Sequence, residues 1–248
     1  MRESFSELRI RRGDKLEGIA GKFAEIAFRN LEFLDEFYYY ELVDSTNERA
    51  KEIFKKFCLF FAEEQTAGRG RLGRKWFSSK GGLYFSITLP AYEVGKLTTI
   101  SALSVAESIP TARIKWPNDV LIGNLKFSGI LGELFRDLAV VGIGINVENE
   151  IPKELSDYAT NLSKLFSLSR EEVFDRVTAN FYKNYLELVS GNWKELFRKY
   201  RELCITLGKY VKVITLSGEF EGIAELSEDG AIIVGGKKIY VGDCIHLR

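Results

Sequence analysis

A run of alternating glycines and arginines, followed at once by a β-type segment, most constrains the fold of this chain. Residues 65–76 have the sequence Gln-Thr-Ala-Gly-Arg-Gly-Arg-Leu-Gly-Arg-Lys-Trp. They match G-x-G-x-x-G, but a dinucleotide-binding fold needs a helix that opens directly from this motif. Instead, after nine residues, apolar side chains alternate over residues 83–89 as in a half-buried strand. The pattern predicts a loop between strands and argues against a doubly wound dinucleotide fold.

The same loop is basic within a neutral chain. The protein contains 35 Lys and Arg against 35 Asp and Glu, yet no acid lies between Gln65 and Tyr92. Arginine binds phosphate or carboxylate with a planar pair of donors, and glycine lets the backbone approach a ligand closely. The loop therefore predicts an anion site, and a solvated basic surface remains the alternative.

Two further segments place polar residues or glycines inside apolar runs. In residues 113–122, Pro117 predicts a turn rather than a continuous strand, although Asn118 and Asp119 are also an ordinary turn pair. Lys126 follows seven residues after Asp119 and is either a site residue or a solvated surface lysine. In residues 139–147, one face of a predicted strand is nearly bare, which favours close approach by a ligand or by a neighbouring helix.

Together these segments closely resemble the biotin protein ligases, in order and spacing, over about residues 38–147. The motifs that carry the resemblance are Ser45-Thr46-Asn47, Gln65, Gly68-Arg-Gly-Arg-Leu-Gly-Arg74, Trp76, Lys115-Trp-Pro-Asn-Asp119, Lys126 with Gly129, and Gly142-Ile-Gly-Ile-Asn146. A glycine motif alone is weak, but its combination with Lys-Trp-Pro-Asn-Asp is specific.

The resemblance implies an α+β fold. It consists of a class II synthetase-like catalytic domain, a mixed β-sheet flanked by helices, followed by a small SH3-like β-barrel. We expect an N-terminal helical extension over residues 1–36, the catalytic biotin- and ATP-binding domain over 37–205, and the barrel over 206–248. Short alternating strands after Leu207 fit the barrel. Residues 1–36 are too few for the winged-helix repressor domain of many such ligases and are not basic, so DNA binding is not expected.

Helical patterns predict helices over residues 97–109, 169–189 and 192–203, and one that starts at Ser45. Sequence signals for helix N-termini are Asp14 and the possible capping boxes Ser45/Glu48, Ser169/Glu172 and Asn192/Glu195.

The resemblance also implies a two-step reaction. The carboxylate of biotin attacks the α-phosphate of ATP to give biotinyl-5′-AMP and pyrophosphate. A lysine of a biotin carboxyl carrier protein then attacks the mixed anhydride and AMP leaves. Lys126 would bridge the carboxylate and the α-phosphate, and Arg69 and Arg71 would hold the phosphates. Asp119, with Asn118, would place Mg²⁺. The implied catalytic residues are therefore Lys126, Arg71 and Asp119.

For the ligands, the resemblance assigns the ureido ring of biotin to Ser45, Thr46 and Gln65. It assigns the valeryl tail to Gly129, and adenine to Trp76 and Asn146. The full implied binding set is Ser45, Thr46, Asn47, Gln65, Gly68, Arg69, Gly70, Arg71, Trp76, Lys115, Asn118, Lys126, Gly129, Gly144 and Asn146. Residues 66–80 are expected to become ordered over the adenylate, which would otherwise be hydrolysed.

Two alternatives stay open. A lipoate or octanoate ligase shares the catalytic fold and the lysine, but has an Arg-Gly-Gly-Gly type loop. A non-catalytic nucleic-acid-binding module could use the basic loop and Trp76, against which the neutral charge balance argues. The chain has no apolar run that could span a bilayer and no signal peptide, and its three cysteines lack metal-type spacing. We expect a cytoplasmic enzyme with no membrane partner and, from the resemblance, a homodimer.

Overall fold

A large mixed β-sheet is the centre of the fold. The computed structural model describes residues 6–91 and 93–247. The sheet has eight strands in the order β1-β2-β3-β4-β8-β7-β6-β5, in which β2 and β3 are parallel and the other neighbours are antiparallel. Its strands are β1 (Glu7–Arg11), β2 (Glu36–Val43), β3 (Cys58–Gln65), β4 (Leu83–Pro90), β5 (Arg113–Lys115), β6 (Asp119–Ile122), β7 (Leu125–Phe135) and β8 (Leu138–Ile145). The expected mixed sheet is confirmed.

Helices cover both faces of this sheet. They are α1 (Gly18–Asn30), α2 (Thr46–Ile53), α3 (Val94–Ser108), α4 (Arg170–Val189) and α5 (Trp193–Leu203). Successive strand residues point to opposite faces. Phe61 packs with α1 and α4, where the Phe174 ring lies edge-on at 5.7 Å, whereas Phe60 packs with Ala50 of α2 on the other side. Within the described ranges, no helix is long and apolar enough to cross a membrane.

One of the expected capping boxes is confirmed and two are wrong. Ser169 Oγ accepts from the Glu172 amide at 3.1 Å, and the Glu172 carboxylate accepts from the Ser169 amide at 2.8 Å, so α4 begins as predicted. The side chains of Ser45 and Asn192 make no cap bond. Glu48 forms ion pairs with basic side chains instead, and the Asn192 amide donates to a carboxylate of α4. Other partners, both local and distant in sequence, have replaced the cap bonds.

The segment of residues 1–36, expected as a helical extension, contains helix α1 and also a strand that the sequence analysis did not predict. Residues 1–5 lie outside the described part of the chain, but β1 pairs with β2 and so extends the central sheet. Helix α1 begins after Glu17, not after Asp14, whose carboxylate accepts from the Arg11 amide in a turn at 2.7 Å. Phe23 of α1 is buried and stacks on Phe61 at 4.4 Å. The strand was missed because five residues are too few to show a clear period.

The C-terminal part is all-β, as expected, and forms two antiparallel sheets of three strands each, in the orders β10-β9-β14 and β11-β12-β13. Its strands are β9 (Tyr210–Thr215), β10 (Gly218–Ile223), β11 (Glu225–Leu226), β12 (Ile232–Val234), β13 (Lys237–Ile239) and β14 (Asp243–His246). We call this part the C-terminal module. It is tied to the catalytic sheet through Trp116, whose amide donates to Thr206 Oγ1 at 3.0 Å and whose indole donates to the Gly230 carbonyl at 3.2 Å.

Candidate active site

A cleft of about 290 Å³ lies over the sheet, beneath the basic loop and beside the C-terminal module. Of the residues predicted to act in catalysis or binding, all except Gly68 and Asn146 line it. Residues that are far apart in sequence therefore meet here, as Ser45 and Gly144 do.

One end of the cleft is a hydrogen-bonded polar corner at the start of α2. Gln65 Oε1 accepts from the Thr46 amide at 2.9 Å, and Gln65 Nε2 donates to Ser78 Oγ at 2.9 Å. Ser86 Oγ lies 2.7 Å from Thr46 Oγ1. These bonds fix the first turn of α2, whose remaining free N–H groups suit a polar ligand. The corner presents amide and hydroxyl groups on a rigid base.

Asn47 connects this corner to the sheet. Its Nδ2 donates to Glu133 Oε2 at 2.7 Å, and its Oδ1 lies 2.6 Å from Ser86 Oγ. A Cβ at position 142 would collide with Asn47 Oδ1. At Gly142, the bare face of β8 therefore makes room for a side chain of α2.

At Gly144 the bare face has another use. Gly144 pairs with Gly129 of β7, and together they form a flat floor within the cleft. Trp76 lies on this floor: a Cβ at 144 would stand 2.5 Å from its Nε1, and a Cβ at 129 would stand 3.0 Å from its Cζ3. Trp76 Nε1 is buried and has no hydrogen-bond partner among the described residues. The indole is held by contact with the glycines and not by a polar bond.

Lys126 and Asp119 form the charged centre of the cleft. Lys126 Nζ lies 2.6 Å from Asp119 Oδ1 and 5.2 Å from the centre of the Trp76 ring. Both side chains are about one third exposed, so ligands can reach them. The β6–β7 hairpin brings the two residues together, because Asp119 pairs with Gly129 and a bulge lies between Val120 and Leu121. Asp119 holds this lysine within the cleft, where the other donors of its ammonium group can contact a ligand anion.

Arg71 reaches the cleft from the loop above. Its Nη1 donates to Asn118 Oδ1 at 3.1 Å, and Asn118 Nδ2 donates to the Ile130 carbonyl at 2.5 Å. Burial lowers the pKa of the Arg71 guanidinium, while the charges of Asp243 and Asp119 act in the opposite direction. A half-buried cation whose hydrogen-bond partner in the cleft is a neutral amide is suited to bind an anion.

Arg69, which the resemblance assigns to the phosphates, lines the cleft and has acidic partners in this structure. It points to acids, since it forms an ion pair with Glu48 of α2 and lies 3.9 Å from Glu133. Lys51 bridges the same two carboxylates, at 3.1 and 2.7 Å. In this structure Arg69 fastens the loop to α2.

Comparison with known proteins decides the family. Residues 39–148 match the Biotin/lipoate A/B protein ligase family. The chain is 32% identical over 234 residues to the bifunctional ligase/repressor BirA of Bacillus subtilis. This match covers 83% of this chain and 72% of that protein. It is 32% identical over 212 residues to the biotin–[acetyl-CoA-carboxylase] ligase of Mycobacterium tuberculosis, covering 77% and 79% of the two chains. This chain belongs to the biotin protein ligases.

A solved structure agrees with this assignment. The biotin protein ligase of Aquifex aeolicus in complex with biotin and ATP superposes with a TM-score of 0.77 at 37% identity. The match covers 86% of this chain and 98% of that one. The catalytic fold of this ligase is therefore that of the family.

The two predicted residues outside the cleft have other surroundings in this ligase. A Cβ at Gly68 would collide with the Trp76 carbonyl, so Gly68 allows the loop to fold back on itself. Asn146 Nδ2 donates to the Thr160 carbonyl at 3.2 Å, and Asn146 Oδ1 accepts from Asn149 Nδ2 at 3.0 Å. Asn146 lines a second cavity of about 190 Å³, which shares Lys75, Trp76 and Lys126 with the first.

Several residues of the ligase site were missed. The C-terminal module contributes Ile214, Asp243, Cys244 and Ile245 to the cleft. Asp243 forms an ion pair with Arg74 of the loop, and Glu133 of β7 supports α2. A lone acid at the start of a short strand was the only sequence signal for Asp243.

Proposed function

We propose that this chain is an ATP-dependent ligase that activates biotin as biotinyl-5′-AMP and transfers it to a lysine of a biotin carboxyl carrier protein. The observation that carries the proposal is the cleft itself, in which Lys126, Asp119 and Arg71 stand next to the polar corner formed by Thr46 and Gln65. The relatives are named as ligases of this kind, and the Aquifex aeolicus structure contains biotin and ATP.

Biotin fits the polar corner and the glycine floor. Its ureido ring needs donors and acceptors in a rigid arrangement, which Ser45, Thr46 and Gln65 supply. The valeryl tail would run over the floor formed by Gly129 and Gly144. Trp76 covers that floor in the structure, so its indole would move with the loop and pack beside the adenine.

ATP would occupy the charged centre and the second cavity. Lys126, Arg71 and Lys115 all line the cleft and would neutralise the α-phosphate and the attacking carboxylate. The adenine would lie in the neighbouring cavity, which contains Asn146 and one side of Trp76. Because these two cavities share Trp76 and Lys126, a single nucleotide can reach both.

In the first step, an oxygen of the biotin carboxylate forms a bond to the α-phosphorus, and pyrophosphate leaves with the bonding electrons. In the second step, the lysine amine of the carrier attacks the carbonyl carbon, AMP leaves, and the amine loses a proton. The first step brings two anions together, so the chain contributes chiefly positive charge and position. Lys126 and Arg71 are the residues placed to provide it.

Asp119 fits a magnesium ion better than Asn118 does. The Asn118 oxygen accepts from Arg71 and its nitrogen donates to Ile130, so both ends are used within the protein. Within the described ranges no group of three or more His, Cys, Asp or Glu side chains is placed to hold a metal. Mg²⁺ often keeps most of its waters and needs only one or two carboxylates. When bound, it would neutralise phosphate charge, with Asp119 as its protein ligand.

The remaining expectations stay part of this proposal. We propose a homodimer, since β1 lies at the outer end of the sheet order and can pair with a second copy. We propose a cytoplasmic location, which the three free, buried cysteines support. We propose no DNA partner because acidic and basic residues balance. Sedimentation velocity tests the dimer, and a non-specific DNA-binding assay at low salt tests the last point.

Transfer to a carrier tests the function as a whole. The purified chain is incubated with biotin, ATP, Mg²⁺ and an unmodified carrier domain, and the intact mass of the carrier is measured. We expect the carrier to gain one biotinyl group, and a carrier with its target lysine changed to arginine to gain none. A gain of a lipoyl group instead, when lipoate replaces biotin, would favour the lipoate alternative.

A further inference from the structure

The basic loop is held by ion pairs to two different parts of the chain. On one side Arg69 pairs with Glu48 of α2, and on the other Arg74 pairs with Asp243 of β14. Between them the loop has its own backbone bonds, such as the one from the Gly70 amide to the Arg74 carbonyl at 2.7 Å. The second ion pair is the one that joins the loop to the C-terminal module.

Asp243 is placed to act on more than Arg74. Its side chain is only 22% exposed and lies at the wall of the cleft, next to Cys244. Its charge also acts on the half-buried Arg71 guanidinium. A carboxylate near two arginines lowers the cost of holding both cations together over the cleft.

From this geometry we infer that Asp243 is a positioning residue, which holds Arg74 and thereby keeps Arg71 over the acyl-adenylate until transfer. The inference rests on the proposed ligase function. It gives the C-terminal module a specific part in the reaction, namely retention of the intermediate. The Arg74 end of this ion pair is exposed to solvent, which weakens the pair, so we expect a severalfold effect and not complete loss.

The perturbation is Asp243→Asn, which keeps the size of the side chain and removes its charge. We expect biotinyl-AMP to dissociate from the variant about fivefold faster than from the wild type. The rate of adenylate formation should fall by less than fivefold. A change that merely destabilised the module would reduce all steps together. Asp243→Glu, which restores the charge, should return retention towards the wild-type value.

The control is Glu219→Gln. Glu219 pairs with Lys212 at 3.0 Å in the same module, and Glu219 does not line the cleft. This control removes one of the two carboxylates that pair with Lys212, the other being Glu221 at 2.9 Å, and it should leave retention of the adenylate unchanged.

The test measures partition of the intermediate in the full chain. Enzyme carrying labelled biotinyl-AMP is mixed with carrier, and label on the carrier is compared with free adenylate. A double-mutant cycle of Asp243→Asn and Arg74→Ala should show that the second change adds little once the first is present. The inference would be overturned if the effects of the two changes on retention multiplied. It would also be overturned if the Asp243→Asn variant retained the adenylate as well as the wild type does. Failure of the wild type to form any adenylate would instead contradict the proposed function.

Discussion

Replacement of Gly144 by alanine tests whether the glycine floor is part of the binding site. The added Cβ would stand 2.5 Å from Trp76 Nε1 and 2.6 Å from Trp76 Cε2. Ordinary contacts between such atoms lie near 3.5–4.0 Å, so the indole must move by about 1 Å. The same methyl group would project into the space proposed for the valeryl tail of biotin.

The expected loss of biotin affinity follows from overpacking by the added methyl group. Inserting one methyl group into a well-packed site costs about 1–3 kcal/mol. At about 1.4 kcal/mol per tenfold, this corresponds to roughly 5- to 150-fold weaker binding. Because Trp76 lies on a loop and can yield in part, we expect a loss of about tenfold for biotin.

Isothermal titration of biotin into the folded variant measures this loss directly, and thermal unfolding checks that the sheet is intact. The matched control is Gly95→Ala, which meets nothing within 4 Å at the start of α3 and should bind biotin as the wild type does. Wild-type biotin affinity in Gly144→Ala would refute the role of the floor.

Three further predictions concern the charged groups and the loop. Lys126→Ala should reduce adenylate formation about 100-fold, with a smaller loss of biotin affinity, because its charge is needed most in the transition state; near-normal pyrophosphate exchange would remove it from the mechanism. Arg71→Gly should release biotinyl-AMP and label bystander lysines; modification of the carrier alone, at the normal rate, would show that Arg71 does not retain the adenylate. Trypsin should cut residues 66–80 more slowly when an adenylate analogue is bound, whereas equal cleavage would mean a preformed loop.

The strands next to the site were predictable because their patterns are local. Alternation over residues 83–89 and 139–147 identified β4 and β8, since each strand has a buried face. Pro117 cannot donate to a sheet ladder, and it indeed lies in the turn between β5 and β6. Most of the cleft could therefore be assembled from the motifs.

Features that depend on which side chains compete for a partner in the folded chain were not predictable. Glu48 had the spacing of a capping box, but Arg69 and Lys51 compete for its carboxylate. Asn146 faces Asn149 and a second cavity, which no periodicity within β8 reveals. Asp243 comes from a separate module more than 160 residues away from Arg74. Such contacts appear only when the chain is folded.

Exchange of labelled pyrophosphate into ATP tests the central claim most directly. The assay reports reversible adenylation of an acid and needs no carrier protein. We predict that biotin supports exchange, that lipoate and octanoate do not, and that Lys126→Ala abolishes most of the biotin-dependent signal. Exchange that depends on lipoate or octanoate, or no exchange with any of the three acids, would contradict the assignment of this cleft to biotin activation.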